Sequence, residues 1–199
     1  MSRTLSPVLN DPGWRTALEL VGVLWLAEET IIGLRGRLRD RSLARDRGSQ
    51  AAIIVSVVAS ISIAPALAAA VPGAPISWRP HGLSAAGLAL MLGGMSLRWY
   101  AVRTLGPYFT TTVAARDGQP VVESGPYHFV RHPSYSGILL TLAGYCLAFT
   151  NWTALLAVVP GAVGLAYRIR VEERALLEAL GEPYADYMRR TKRLVPHLI

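Results

Sequence analysis

An all-α bundle of five membrane-crossing helices, closed at one mouth by a helical cap from the C-terminal tail, is the architecture this sequence predicts. Three observations predict it. Of the 199 residues 52% are hydrophobic and the mean hydropathy is +0.34, and the apolar residues come in long blocks rather than in strand-like alternation. The block at residues 51–71 carries no charge over 21 residues, long enough to cross a hydrocarbon core of about 30 Å as a helix. Basic residues gather at alternate ends of the successive blocks, as the positive-inside rule requires of a multi-pass chain.

The first block, residues 18–34, is the weakest, because it contains Glu19, Glu28 and Glu29. A carboxylate inside a span is costly, so the two glutamates near its end are expected to pair with the arginines that follow: Arg35, Arg37, Arg39, Arg41, Arg45 and Arg47. The second span is the uncharged block 51–71. The third, residues 83–97, continues to Leu105 through Arg98 and Arg103. Residues 134–149 and 152–167 are 16 residues each and are separated by Thr150-Asn151, which reads as a tight helical hairpin. The loop between spans two and three holds only Arg79, whereas Arg98, Arg103, Arg116 and Arg131 surround the exit of the third, and arginines dominate the tail from Arg168. This pattern predicts an outer N-terminus and a cytoplasmic C-terminus in the cell membrane, and no cleavable signal precedes the first span. The tail reads as a helix over 170–180 ended by Gly181 and a second helix opened by Pro183 and running to Arg190.

Composition excludes several classes. A single cysteine, Cys146, rules out an intramolecular disulfide or a cysteine metal cluster. His81 and His197 stand apart from other ligating residues, so no metal site is expected. The net charge of +7 follows the membrane topology and calls for no nucleic acid. The whole chain, 1–199, reads as one domain.

Two polar clusters sit at membrane exits on the same predicted side. The first is residues 125–137, Gly-Pro-Tyr-His-Phe-Val-Arg-His-Pro-Ser-Tyr-Ser-Gly. Gly-Pro sets a turn, Pro133 keeps His132 out of the helical region, and Pro133 itself suits the first turn of the next helix. The turn therefore places Tyr127, Arg131, His132 and Tyr135 at a helix N-terminus. The second cluster is Arg168-Ile-Arg-Val-Glu-Glu173, in which Arg168 and Glu172 are four apart and share a helical face. Asp117-Gly118-Gln119-Pro120 reads as a surface turn, with Val121-Val122 an apolar return towards the membrane.

At these clusters the sequence resembles the isoprenylcysteine carboxyl methyltransferase family, membrane enzymes that use S-adenosylmethionine. The likeness rests on Gly125-Pro-Tyr127, on Arg131-His-Pro-Ser-Tyr-Ser-Gly137, on the hydrophobic hairpin, and on Arg168 to Glu173, Gly181-Glu-Pro-Tyr184 and Tyr187 in the family's order, over about residues 97–196. It implies that Gln119, Pro120, Val121, Val122, Tyr127, His132, Pro133, Ser134, Tyr135 and Glu172 contact S-adenosylmethionine, and that Arg168 lies near the carboxylate of a lipophilic or prenylated acceptor. One departure is that many members carry histidine where this chain has Gln119, which can donate a hydrogen bond but cannot be protonated.

Methyl transfer to a carboxylate suits these residue types. A carboxylate is ionised at neutral pH and needs no base, so the protein has to align the reactants and exclude water. An arginine fork holds a carboxylate in two places, and tyrosine faces suit an adenine ring or a sulfonium. Taken singly the same residues fit neutral roles: Arg131 as an interfacial anchor, Tyr127 and Tyr135 as an aromatic belt, His132 as a structural histidine, Arg168 and Arg170 as a stop for the last span, Glu172-Glu173 as an exposed face. Two other functions stay open: an NADPH-dependent sterol-type membrane reductase, and a non-enzymatic membrane scaffold or permease component.

Overall fold

The computed structural model describes residues 8–39, 48–71, 73–111 and 119–196. The expectations placed on Arg41, Arg45, Arg47, Arg116, Asp117-Gly118 and His197 lie outside the described residues. The regular structure of the described residues is helical, as the sequence predicts: α1 (Pro12–Arg39), α2 (Ser49–Ala70), α3 (Pro80–Leu105), α4 (Pro133–Ala148), a single turn α5 (Trp152–Leu155), α6 (Val158–Leu180) and α7 (Glu182–Arg190), with 3₁₀ turns at Gly106–Tyr108 and Gly125–His128. Among the described residues only two isolated β-bridges occur. Among the described residues three stretches are long and apolar enough to cross a membrane: Ser49–Ala70, Pro80–Tyr108 and Trp152–Leu180.

Small residues decide how the central helices pack. α3 and α4 meet along Gly87 and Gly94 on one side and Gly137 and Gly144 on the other, each pair seven residues apart. A Cβ on Gly94 would lie 2.6 Å from the Gly137 carbonyl, and one on Gly144 would lie 2.4 Å from that of Gly87. Close backbone approach of this kind holds helices together where lipid removes any hydrophobic drive between them. α2 crosses α6 in the same manner, with Gly164 against Ser56 and the Gly161 amide donating to Ser60 Oγ at 2.9 Å.

Pro65 lies inside α2 and lacks the N–H that would bond the Ile61 carbonyl. The Tyr145 hydroxyl of α4 donates to that carbonyl instead, at 3.2 Å. The end of α2 is served similarly: Thr153 donates to the Leu67 carbonyl and Asn151 to that of Val71. Asn151 also caps α5, its side chain accepting from the amides of Thr153 and Ala154. The hairpin expected at Thr150-Asn151 is thus present. Its second arm differs from expectation, because the chain makes one turn of α5, breaks, and then runs unbroken as α6 to Leu180. The separate helix expected over 170–180 is the second half of α6, since nothing between Tyr167 and Leu180 interrupts helical hydrogen bonding.

α4 begins at Pro133 with His132 outside the helical region (φ −125°, ψ 56°), as the proline requires. Gly181 at φ 61° ends α6, and Pro183 in the first turn opens α7. α7 then folds back against the 3₁₀ turn, where the Tyr187 hydroxyl donates to the Tyr127 carbonyl at 2.6 Å. The tail continues beside residues 130–132, with the amides of Arg131 and His132 donating to the carbonyls of Lys192 and Arg193.

Candidate active site

The two polar clusters meet. The 3₁₀ turn and the start of α4 bring Tyr127, His132, Ser134 and Tyr135 to one end of the bundle, α6 brings Arg168 and Glu172, and α7 with the tail covers them. Behind this surface lies a buried ionic knot. Glu173, 5% exposed, receives Arg131 Nε at 2.9 Å and Arg193 Nε at 2.9 Å, and His132 Nε2 lies 3.4 Å away. Arg131 also donates to the carbonyls of Met188 and Thr191. Arg131 is therefore a buried brace and not an interfacial anchor, and Glu173 is not an exposed face. Two cations and a histidine offset the cost of burying that carboxylate.

A cavity of about 100 Å³ opens between the turn, α6 and α7. Its wall includes Gln119, Pro120, Val121, Val122, Tyr127, His132, Ser134, Tyr135 and Glu172, together with Leu105, Tyr108, Phe109 and Thr110 from the end of α3 and Tyr184 and Tyr187 from α7. Nine of the eleven residues singled out in the sequence thus line one space. Pro133 lies outside this wall, directing the chain into α4. Burial holds the Tyr127 phenol well above its usual range, reinforced by the Glu172 charge, and burial does the same for Tyr184 and Tyr187. The phenols of Tyr127, Tyr184 and Tyr187 therefore stay neutral hydrogen-bonding groups at physiological pH.

Arg168 lines a second, larger cavity of about 1070 Å³ between α1, α2 and the α3–α4–α6 core. Most of its wall is apolar: Trp25, Leu26, Ile32, Ile53, Ile54, Val57, Ile61, Ile138, Tyr145 and Phe149 among others. Arg168, Arg98 and Glu29 sit in that wall together with Tyr135. Arg168 is 4% exposed. It donates to the Tyr135 hydroxyl at 3.2 Å, to Ser49 Oγ at 2.7 Å and to the Thr111 carbonyl at 2.8 Å. Tyr135, Phe109 and Thr110 face both cavities, and the Tyr135 hydroxyl donates to Glu172 Oε2 at 2.6 Å. Arg168 and Glu172, one helical turn apart, thus belong to different cavities joined through one tyrosine.

Sequence reasoning missed Arg98. It donates from Nη1 to Ser134 Oγ at 2.7 Å and pairs with both oxygens of Glu29, Nη2 to Oε2 at 2.7 Å and Nε to Oε1 at 2.5 Å. Glu29, expected to pair with the loop arginines, meets Arg98 of α3 inside the bundle, and the side chains of Arg37, Arg39, Arg41, Arg45 and Arg47 lie outside the described residues. Glu28 is 9% exposed, and neither of its oxygens has a hydrogen-bond partner among the described residues. The available signal was the charge itself, an arginine at position 98 within an apolar stretch. No group of three or more His, Cys, Asp or Glu residues that could hold a metal occurs among the described residues.

The family model for the isoprenylcysteine carboxyl methyltransferase family matches residues 87–178, the segment that carries Arg98, the 125–137 turn, Arg168 and Glu172. Over that segment the chain is similar to this family. It is 28% identical to protein-S-isoprenylcysteine O-methyltransferase B of Arabidopsis thaliana over 201 residues, covering 96% of this chain and 98% of that one. It is 33% identical to the uncharacterised protein YpbQ of Bacillus subtilis over 91 residues, 45% of this chain and 54% of that protein. Among solved structures it is similar to the eukaryotic intramembrane Ras methyltransferase, an isoprenylcysteine carboxyl methyltransferase, with a TM-score of 0.53 and 26% identity over 75% of this chain and 51% of that one. The chain therefore spans about half the length of YpbQ and of the solved enzyme, and nearly all of the Arabidopsis relative. Its apolar spans and this neighbour make it a multi-pass membrane protein. α1 and α2, which wall much of the larger cavity, lie outside the segment matched by the isoprenylcysteine carboxyl methyltransferase model.

Proposed function

We propose that this protein transfers a methyl group from S-adenosylmethionine to the carboxylate of a lipophilic acceptor of the isoprenylcysteine type, at the cytoplasmic face of the cell membrane. One observation carries the reading. Glu172 faces a small aromatic-walled cavity, Arg168 faces a large apolar one, and Tyr135 bonds both.

The smaller cavity fits the donor by its chemistry. Glu172 suits the ammonium or a ribose hydroxyl, Gln119 and the 120–122 backbone suit the base and amino-acid polar atoms, and Tyr127, Tyr135 and His132 offer faces to adenine or to a sulfonium. When bound there, S-adenosylmethionine supplies a methyl group on positive sulfur. The larger cavity fits a lipid chain by its aliphatic wall, and Arg168 supplies a fork for a carboxylate at its inner end. The carboxylate oxygen forms the new bond to the methyl carbon and the sulfur keeps the departing electron pair, so no proton moves and no base is required. The residues' task is alignment at about 3–3.5 Å and exclusion of water.

The membrane frame agrees with this reading. α1 has 28 residues and α4 has 16, which at 1.5 Å each gives about 42 and 24 Å. With the three apolar spans they complete five crossings, α7 and the tail forming a cap at the cytoplasmic mouth and the N-terminus lying outside. Arg35 and Arg103 stand over the Trp99 ring at 5.0 and 5.3 Å, while Arg79 stands over Trp78 at the opposite end of α3. Cations and indoles so placed mark both interfaces.

Equilibrium binding of S-adenosylhomocysteine and of NADPH to the purified protein, followed by transfer of labelled methyl to N-acetyl-S-farnesyl-cysteine, tests the proposal. Binding of the former with base-labile label on the acceptor is expected. Binding of NADPH alone would replace the methyltransferase with a reductase, and binding of neither would leave the scaffold reading.

A further inference from the structure

We propose that the Tyr135 hydroxyl couples the two cavities, so that occupation of the smaller one sets Arg168 for the carboxylate in the larger one. This rests on the assignment of donor and acceptor to the two cavities given above. A phenol has one proton to give and lone pairs to receive. In Tyr135 the proton goes to Glu172 Oε2 at 2.6 Å, a short charge-assisted bond, and a lone pair receives the Arg168 Nε–H at 3.2 Å.

This hydroxyl joins a residue of each cavity. The Tyr135 ring is stacked on His132, with centroids 5.5 Å apart and planes at 17°, and His132 is held beside Glu173. The ring is backed by His132, and its hydroxyl bonds are the ones shared with Glu172 and Arg168. Arg168 is gripped from three elements: Ser49 at the start of α2, Thr111 beyond α3, and Tyr135 of α4. Of these grips Tyr135 is bonded to a side chain of the smaller cavity, Glu172. A cation or hydroxyl donor arriving at Glu172 draws on the same carboxylate charge that holds the Tyr135 proton. The phenol's grip on Nε then changes, and the guanidinium can turn its fork towards an incoming carboxylate. Tyr135 acts here as a positioning residue, and the effect must be reciprocal because it is a coupling between two binding equilibria.

The experiment measures S-adenosylhomocysteine affinity in detergent with and without saturating N-acetyl-S-farnesyl-cysteine, and with palmitate as a carboxylate lipid that lacks the thioether. In the wild type, carboxylate amphiphile is expected to tighten nucleoside binding by about fivefold or more. Tyr135→Phe keeps the ring and its stacking on His132. Whatever its effect on S-adenosylhomocysteine binding alone, the ratio of nucleoside affinities with and without amphiphile is expected to fall to one in this variant. In turnover the same variant should raise the acceptor KM by a larger factor than the donor KM, a split that a general loss of stability would not produce. Coupling retained in Tyr135→Phe would overturn the proposal, as would a wild type whose nucleoside affinity neither amphiphile alters. A wild type that binds no S-adenosylhomocysteine at all would remove the methyltransferase reading first, and this proposal with it.

Discussion

The two cavities are built by different means. The smaller, about 100 Å³, is walled by turns, helix ends and the tail, and its polar atoms come from side chains braced by one buried carboxylate. The larger, about 1070 Å³, is walled by the sides of long helices, and its shape follows from where α1 and α2 stand against a glycine-packed core. One offers placed hydrogen-bonding groups and the other volume and apolarity. The difference predicts separable damage: changes under the first should act on donor affinity, and changes in the second on the acceptor.

The largest effect should come from the brace. Glu173→Gln removes the charge that faces buried Arg131 and ties down Arg193. Breaking a buried pair from one side costs about 3–5 kcal/mol, so thermal unfolding in detergent should show a large loss of stability, with donor binding lost along with it. Unchanged stability would mean that the smaller cavity does not depend on the knot behind it. Next comes Arg168→Ala, expected to lower methyl transfer by roughly two orders of magnitude, the scale of a lost charge-assisted contact, while S-adenosylhomocysteine binds nearly as in wild type. Arg168→Lys should recover only part, since an ammonium cannot make the fork. Loss of nucleoside binding in folded Arg168→Ala would assign the arginine to the smaller cavity and break the division between them.

How much of this was legible in the sequence follows the same division. The smaller cavity was legible because turn chemistry is local. Pro133 after His132, Gly125-Pro126 and Gly181 each fix the backbone within a few residues, and the family resemblance ties the resulting tyrosines, histidine and Glu172 together. The larger cavity was not legible, since Ile53, Val57 and Ile61 read the same whether they face lipid, core or a ligand. The glycine seam was hidden for a related reason: Gly93 meets nothing within 4 Å and Gly94 meets backbone, and only the crossing of α3 and α4 distinguishes them. Arg98 with Glu29 required knowing that α1 packs on α3. Glu173 received no role of its own in the sequence beside Glu172, yet adjacent helical residues point about 100° apart, which here separates a cavity wall from a buried brace.

A smaller effect should separate the wall from the brace. Glu172→Gln keeps the shape of its side chain and should leave the fold intact, since Glu172 bonds Tyr135 and not the knot. Losing one hydrogen bond to a charged group costs about 1.5–3 kcal/mol, so S-adenosylhomocysteine affinity should fall by one to two decades, read by calorimetry. Tyr135→Ala, which removes the ring, should fall in the same range. Unchanged affinity in both would take Glu172 and Tyr135 out of the donor site and leave the smaller cavity without its proposed role.

The smallest predicted effect concerns how the donor gets in. A cavity of about 100 Å³ is below the roughly 300–1,000 Å³ usual for drug-sized ligands, so a nucleoside requires part of the wall to swing outward. The segment 119–123 is the part fastened from outside. Arg190 of α7 holds both oxygens of Glu123 at 2.9 and 3.0 Å, across a surface where Arg190 is 60% and Glu123 38% exposed. An exposed pair is screened by solvent and contributes little, which limits the consequence to a few-fold change. Arg190→Ala should therefore speed S-adenosylhomocysteine dissociation about two- to fivefold in stopped-flow displacement and leave the unfolding temperature within error. High salt should produce the same acceleration in the wild type and none in the variant, because screening acts on the exposed pair and not on the buried knot. If both proteins respond equally to salt, the opening wall lies elsewhere, and the smaller cavity would have to admit its ligand from the side of Tyr135 and the larger cavity.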